Sequence, residues 1–328
     1  MFQVDPSTTT TAPPPPASIV LVAGGDASNS GDRYSSEIIA ENDSDRMKLP
    51  NLPKGTQTSR PSILKHNNTI LYCNYKTCLQ LKLGHLTGTV WGHHSSLNKS
   101  RNYPSGVSTN NASFLFGAWS SGADSYEYME FGSDVWKNGQ TSLPTSFYHT
   151  CVVAVSNEQI LLIGGYTSQN SYDNRTWSFN TLTHTFTQLS LELNTGRQYH
   201  ACIRIPNTEK ILVTGGHDGY GYSGSYYLNS TEIIDLATQS VTYIGSMNYV
   251  RYEHGMGIMT IGNEDKVITF GGRNNSGYLL DSIEVYQEDT QTWELLGNKL
   301  STPKREFGYL SIMNTGDTFD NSDLLNHY

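Results

Sequence analysis

Arginines recur at similar places along this 328-residue sequence, and they are the side chains best suited to binding a ligand. Each of five precedes an apolar run that can form a β-strand: Arg60, Arg101, Arg197, Arg251 and Arg305. A guanidinium binds carboxylate, sulfate or phosphate groups through paired hydrogen bonds. If the five occupy equivalent places in a repeated structure, they collect at one opening and bind an acidic ligand. The alternative is structural, with the arginines tying neighbouring units together through backbone carbonyl groups.

Three histidines recur in the same neighbourhood, namely His149, His200 and His254. Three imidazoles raise the possibility of a metal site. We expect instead that each forms a structural hydrogen bond within its own unit, because equivalent positions in neighbouring units lie too far apart to share one metal. The sequence therefore predicts no metal site and no cofactor.

A Gly/Ser-rich segment, HDGYGYSGSYYLNS, concentrates tyrosines that could form a recognition loop. Tyrosine provides a large contact area at a low cost in conformational entropy, so we assign Tyr220 and Tyr222 to a candidate binding surface. The alternative is an irregular loop whose rings cover the edge of a sheet.

The four cysteines form two groups with different expectations. Cys73 and Cys78 flank Asn-Tyr-Lys-Thr between two apolar runs, so a tight hairpin would bring them close enough for a disulfide. Cys151 and Cys202 each follow one of the recurring histidines by two residues. They form either a disulfide between units or two buried free thiols. The sequence favours free thiols, because cysteine packs well as a small apolar residue.

An internal repeat accounts for these spacings. Three segments share an apolar strand, a polar turn, a second apolar strand and a double glycine: FYHTCVVAVSNEQILLIGG, QYHACIRIPNTEKILVTGG and YEHGMGIMTIGNEDKVITFGG. Weaker N-terminal copies are marked by Gly24-Gly25, Cys73-Asn74 and Gly117. A period of roughly 50 residues with four strands in each unit is typical of a propeller blade.

This pattern resembles the kelch repeat family, whose blades carry a double glycine and later Tyr and Trp residues. The resemblance covers roughly residues 18–315. The first copy lacks a first strand, and REFGYLSIMN near the C-terminus provides one. We therefore predict an all-β fold over residues 18–316: a six-bladed kelch-type propeller of four-stranded antiparallel blades, closed by the C-terminal strand. Residues 1–17 form a Thr/Pro-rich linker, and residues 317–328 form a tail.

Charge and composition narrow the expected partners. The net charge is -9 and no Lys/Arg-rich run occurs, which disfavours nucleic acid and acidic membranes. No apolar stretch is long enough for a membrane span. We expect a monomeric propeller that is extracellular or lumenal, with a cytoplasmic location as the alternative. The sequence contains seven possible N-glycosylation sites: Asn42, Asn67, Asn98, Asn111, Asn174, Asn229 and Asn274.

The predicted function is non-catalytic: an interaction module that binds a protein or an acidic ligand through its loops and an arginine-bearing channel mouth. The family resemblance implies two alternatives. Galactose-oxidase-like copper enzymes use kelch-type propellers, but they need a Tyr–Cys crosslink, a second Tyr, two His ligands and further domains. Intracellular kelch adaptors present client proteins, and in some of them arginines at comparable positions bind acidic peptides.

Overall fold

The computed structural model describes residues 18–28, 31–41, 47–82, 90–119, 123–167, 172–219 and 227–313. These residues form β-strands and one short 3₁₀ helix, Asp32–Tyr34. The predicted linker and tail, Asn42, Tyr220 and Tyr222 lie outside the described residues. Within those residues, no helix is long and apolar enough to cross a membrane.

The first three blades come from the N-terminal half of the chain. Blade one contains β1 (Ser18–Ala23), β3 (Ser36–Ile39) and β4 (Met47–Leu49), and β2 (Asp26–Ala27) lies beside it. Blade two contains β5 (Ser62–His66), β6 (Thr69–Lys82) and β7 (Gly92–Arg101). Blade three contains β8 (Ser105–Ser108), β9 (Ala112–Phe116), β10 (Tyr126–Glu130) and β11 (Lys137–Asn138). In blade two, β6 pairs with β5 through its first half and with β7 through its second half. Its two halves therefore correspond to the second and third strands of the other blades.

The C-terminal half supplies three more regular blades. Blade four contains β12 (Phe147–Tyr148), β13 (Cys151–Ala154), β14 (Gln159–Thr167), β15 (Tyr172–Asn180) and β16 (Thr185–Gln188). Blade five contains β17 (Ala201–Arg204), β18 (Lys210–Thr214), β19 (Thr231–Asp235) and β20 (Ser240–Ile244). Blade six contains β21 (Gly255–Ile261), β22 (Glu264–Phe270), β23 (Ser282–Gln287) and β24 (Thr292–Lys299). The last two strands are β25 (Lys304–Arg305) and β26 (Gly308–Met313).

The C-terminal strand closes the ring, as the sequence predicts. β26 pairs antiparallel with β1, from Ser18 opposite Met313 to Ala23 opposite Gly308. It thereby becomes the innermost strand of blade one, and successive innermost strands contact each other around the whole ring. The structure confirms an all-β, six-bladed propeller of four-stranded antiparallel blades closed in this way.

The buried strands read as continuous apolar runs because both faces of each blade are covered by neighbouring blades. In β18, for example, Ile211 and Val213 pack towards Leu161 and Ile163 of blade four, while Leu212 packs towards blade six. The outermost strands, such as β16, are mostly exposed and polar. The core is therefore a ring of inter-blade interfaces rather than one central cluster.

The double glycines allow the close approach between blades. Gly215 has a φ of 59°, and a Cβ at this position would lie 2.3 Å from the Arg251 carbonyl oxygen. Only glycine fits both the left-handed backbone and this contact. In blades one, five and six, the double glycine directly follows the second strand, where the chain reaches one end of the channel.

Candidate functional site

Six residues form a ring at one end of the central channel, one from each blade. All have a left-handed backbone with φ between 50° and 61°, and each lies two residues before an innermost strand: Arg60, Tyr103, His149, Tyr199, Glu253 and Glu306. They line a cavity of about 130 Å³, which we call the mouth. Further along the channel, a second cavity of about 190 Å³ is lined by the innermost strands. A left-handed backbone is uncommon in non-glycine residues and is enriched at functional sites.

This ring gives the true register of the repeat and corrects the sequence alignment. Arg101, Arg197 and Arg251 lie two residues before their ring residues, and the matching position in the C-terminal repeat is Lys304. Arg60 is itself a ring residue. The five arginines are therefore not in one register, because they precede their innermost strands by two, three or four residues.

Arg305 and the three histidines also occupy different positions relative to the ring residues. Arg305 lies one residue before its ring residue, in the short ladder between β2 and β25. His149 is a ring residue, whereas His200 and His254 each follow one. The arginines therefore divide into one group inside the blades and another group at the mouth.

The first group is completely buried and paired with carboxylates. Its three ion pairs, in which both side chains are inaccessible, are Arg101–Glu127 at 2.9 Å, Arg197–Glu232 at 2.6 Å and Arg251–Glu284 at 3.0 Å. Each guanidinium also donates to a backbone carbonyl of its double-glycine segment: Gly117, Gly215 or Gly271. The backbone of each segment pairs with the preceding blade, where Gly165 and Gly216 donate to the carbonyl oxygens of Arg197 and Arg251 and Tyr75 lies opposite Arg101, so the side-chain contacts tie that blade to the next one. They match the structural alternative, and none of the three guanidinium groups reaches the mouth.

Arg60 extends into the centre of the mouth and contacts the ring residues of all five remaining blades. One of its terminal nitrogens lies 2.9 Å from Nδ1 of His149, and the other pairs with Glu306 at 2.8 Å and with Glu253. Its guanidinium also lies over two aromatic rings, with the centroids of Tyr103 and Tyr199 at 4.9 and 4.1 Å. Only 16% of the Arg60 side chain is exposed, because the other ring residues surround it.

Arg305 lies beside this network and adds a second cation. It pairs with Asp26 at 2.9 Å and with the other oxygen of Glu253 at 2.8 Å. Three carboxylates, from Asp26, Glu253 and Glu306, therefore face Arg60 in the mouth and Arg305 beside it. The mouth is not a cationic cluster.

The pKa shifts follow from burial and from these pairs. Burial, together with the nearby Arg60, lowers the pKa of His149 well below its usual range, so the neutral imidazole accepts a hydrogen bond from the guanidinium. Burial opposes the charge on Arg60, but Glu253 and Glu306 outweigh it and raise the pKa of the guanidinium. Burial also raises the pKa of the Glu253 carboxyl, against the opposing effect of Arg60. The site is thus built to hold a cation next to a neutral histidine.

Comparison with known proteins assigns the repeat to a family. A family profile for the KLHDC2/KLHL20/DRC7 kelch-repeats domain matches residues 104–319. The chain belongs to the kelch-repeat family. It is also 25% identical over 122 residues to alpha-scruin of Limulus polyphemus, which covers 37% of this chain and 12% of scruin. The match to the family profile begins one residue before β8, so it covers blades three to six and the closing strand of this kelch propeller.

The mouth of the kelch propeller is surrounded by exposed aromatic side chains. Trp119 is 52% exposed and lies 5.3 Å from Tyr148 and 5.6 Å from His149, measured between ring centroids. Tyr278 is 71% exposed, on the loop after the last double glycine. Tyr75, where the chain of β6 turns back, and Tyr249, in the segment before β21, are further exposed aromatics at this end of the blades. We call this end, which carries the ring and the loops that follow the double glycines, the mouth face.

The opposite face of the propeller differs in composition. Its exposed large apolar residues include Val135 and Leu182, which are 66% and 62% exposed and lie between the third and fourth strands of their blades. The amino-acid sequence alone does not single out Trp119 and Tyr278. The one signal it carries for them is their position, two and six residues after the glycine markers Gly117 and Gly272.

His200 and His254 form hydrogen bonds between blades. His200 Nε2 lies 3.1 Å from the Ile163 carbonyl oxygen of blade four, and His254 Nε2 lies 2.9 Å from Thr214 Oγ1 of blade five. The expected structural role within a single blade is therefore corrected to a role between adjacent blades. In the part of the chain that the structure describes, no group of three or more His, Cys, Asp or Glu side chains could hold a metal ion.

The structure confirms the predicted disulfide between Cys73 and Cys78. Their Cα atoms are 4.1 Å apart although five positions separate them in sequence, so the chain turns back between them. Tyr75 has a φ of 59° within this turn. The disulfide thus closes the short turn that replaces the double-glycine loop in blade two.

The expectation of free thiols at Cys151 and Cys202 is wrong, because these residues form a disulfide between blades four and five. Cys151 is the first residue of β13, whereas Cys202 is the second residue of β17. Alternate side chains of a strand point to opposite faces, so this offset turns Cys151 towards blade five and Cys202 towards blade four. Two cysteines at one repeat position would have pointed the same way around the ring.

The possible glycosylation sites differ in accessibility. Asn98 and Asn111 are exposed, and Asn67, Asn174, Asn229 and Asn274 are half-buried. Three of these asparagines donate a hydrogen bond from the side-chain nitrogen to a backbone carbonyl oxygen. The pairs are Asn98 to Trp136, Asn174 to Leu193 and Asn229 to Met247. Asn111 is therefore the most open acceptor among those described.

Proposed function

We propose that this kelch propeller is a non-catalytic protein-interaction module that binds a partner protein with its mouth face. The observation that carries the proposal is the unequal distribution of exposed side chains. The mouth face exposes Trp119, Tyr278, Tyr75 and Tyr249, whereas the opposite face exposes Val135 and Leu182. Aromatic side chains on a rigid scaffold are typical anchors of protein interfaces.

The acidic ligand suggested by the arginine count stays a prediction, now limited to Arg60 and Arg305. Both guanidinium groups already pair with carboxylates, so an acidic ligand would have to displace Glu253 and Glu306 from them. The contacts at the mouth therefore favour a protein surface that offers aromatic and basic groups over one that is mainly acidic.

A binding role is also favoured over the copper-enzyme alternative. All four cysteines are engaged in disulfides, which leaves none for the Tyr–Cys crosslink that those enzymes need. Metal analysis of the purified protein tests this part of the proposal, and stoichiometric copper would contradict it.

We further propose an extracellular or lumenal location for a monomeric propeller. The two disulfides are compatible with an oxidising compartment and are unusual in a reducing cytosol. Peptide mapping without reduction of protein from its natural source should recover both disulfide-linked peptides. Four free thiols would instead support the intracellular adaptor.

Matched variants on the two faces test where the partner binds. Proteins from the natural source are captured on the wild-type chain, on Trp119→Ala and Tyr278→Ala, and on the opposite-face controls Val135→Ala and Leu182→Ala. We expect the mouth-face variants to lose a specific partner, by roughly tenfold or more in affinity for a buried aromatic anchor. The controls should retain it. A partner lost only from the opposite-face controls would overturn the assignment.

A further inference from the structure

The position of Arg60 is not explained by the structural role that the other arginines have. The side chains of Arg101, Arg197 and Arg251 each bind only the blade that follows, deep in the protein, and their ion pairs are inaccessible to solvent. Arg60 reaches across the channel instead, and its bonding partners come from blades one, four and six. The Arg60 side chain is thus bound by groups that other blades supply, as a ligand would be.

The residues around Arg60 form a complete recognition site for a guanidinium group. Glu253 and Glu306 supply carboxylates that are 5% and 11% exposed, and two tyrosine rings pack against the cation. Paired carboxylates combined with aromatic faces are the groups that bind a guanidinium or ammonium ion. The neutral His149 accepts one further hydrogen bond.

We propose that the mouth is a binding site for a guanidinium or ammonium group, and that Arg60 occupies it until an arginine or lysine side chain of a basic partner segment replaces it. The proposal deepens the proposed function and rests on it for the source of the cation. Charge complementarity supports a basic partner, because the chain has a net charge of -9. Displacement is feasible in geometry, since the Arg60 side chain is 16% exposed and lines an open cavity of about 130 Å³.

A small probe tests the site without a partner protein. In the Arg60→Ala variant, we expect L-argininamide to bind saturably at millimolar concentration and to raise the melting temperature. L-citrullinamide, its neutral isostere, should do neither. Wild-type protein should bind L-argininamide at least tenfold more weakly, because Arg60 competes. Adding Glu253→Gln and Glu306→Gln to Arg60→Ala should abolish the effect.

The result remains decisive if Arg60→Ala does not fold alone. The variant is then refolded with either probe, and recovery of folded protein with L-argininamide but not with L-citrullinamide supports the site. Equal behaviour of the two probes, with folded or refolded protein, overturns it. An acidic probe such as a tetraglutamate peptide that binds the wild-type mouth, and is lost in Arg60→Ala, would also overturn it in favour of an acidic ligand.

The two proposals can fail separately. If L-argininamide binds but mouth-face variants keep every partner, the guanidinium site stands and the partner-binding face is wrong. If the partner is lost from Trp119→Ala while L-argininamide does not bind, the reverse holds.

Discussion

At the scale of single residues, a shift of one or two positions changes what an arginine does. Arg197 lies two residues before a ring residue and is buried against Glu232, whereas Arg60 is a ring residue and points into the mouth. Both occur in segments that enter a blade. The left-handed backbone of the ring residue separates the two environments, because it redirects the chain between the approach segment and the strand.

The buried pair between Arg197 and Glu232 leads to a first prediction. Arg197→Ala leaves the inaccessible Glu232 without its cation, so we expect the free energy of unfolding to fall by about 3–5 kcal/mol. Chemical denaturation measures this loss. Lys137→Ala, which removes an exposed partner of Glu130, is the control and should have a much smaller effect. Similar losses in the two variants would contradict the structural role of Arg197.

His200 leads to a second prediction, which concerns pH. Burial and the nearby Arg197 lower the pKa of His200 to about 3. An unfolded chain protonates histidine near pH 6.5, so between roughly pH 6.5 and 3 the unfolded state holds more protons and stability falls as pH falls. At pH 5 this single residue should reduce the free energy of unfolding by about 2 kcal/mol compared with pH 7.5.

Urea denaturation at the two pH values measures the effect. His200→Gln should lose about 2 kcal/mol less than the wild-type chain on acidification. His93→Gln, on the exposed β7, is the matched control and should retain the wild-type pH dependence. An unchanged pH dependence in His200→Gln would show that protonation of this residue is not coupled to unfolding.

At the scale of strands and blades, the one-residue offset between two cysteines creates a covalent link that the repeat itself does not provide. Cys151 and Cys202 lie on neighbouring innermost strands, so their disulfide joins blades four and five close to the channel. The disulfide between Cys73 and Cys78 remains within one blade. The two should therefore contribute unequally to stability.

The closed loops have very different lengths, and this leads to a third prediction. Loop-closure entropy gives about 4 kcal/mol for Cys151–Cys202 and about 2 kcal/mol for Cys73–Cys78. The paired variants Cys151→Ser/Cys202→Ser and Cys73→Ser/Cys78→Ser should therefore lose stability in that order. Guanidinium denaturation of the oxidised proteins measures both. A larger loss from the short loop would show that loop length does not determine the contribution.

The sequence could predict the strands more reliably than the side chains at the mouth. Apolar runs such as ILVTGG identify a strand that is buried on both faces, and the double glycine marks its end. The approach segments have no such periodicity, so Arg60 and Arg197 looked equivalent. The sequence also leaves the exact start of each strand uncertain by one residue. It therefore could not predict that Cys151 and Cys202 face each other, because a shift of one position moves a side chain to the other face of a strand.

At the scale of the whole molecule, ring closure depends on β26. Without it, β1 has an unpaired edge, and the innermost strands of blades two and six lose the contacts that they make with β26. Stability in a repeat protein is largely a sum of such interfaces, so the loss of one strand affects two of them.

A truncation gives the fourth prediction. A chain that ends before Arg305 should not fold, because Phe307 and Ile312 leave their inter-blade clusters together with the strand. Circular dichroism and thermal denaturation measure the result. A synthetic peptide of residues 304–313, added in trans, should restore part of the cooperative transition, whereas a scrambled peptide should not. A truncated chain that melts cooperatively near the wild-type temperature would contradict closure by β26.

Ser18 and Met313 are direct partners in the ladder between β1 and β26, so the two ends of the described body lie on adjacent strands about 5 Å apart. The blades consequently have a cyclic order without a structurally unique starting point. A circular permutant that joins these ends by a short linker and opens the chain just before β17 would encode the same ring, with the strands of blade one contiguous in sequence. The boundary between the first and last repeats is a property of the gene, and the folded propeller has no seam there.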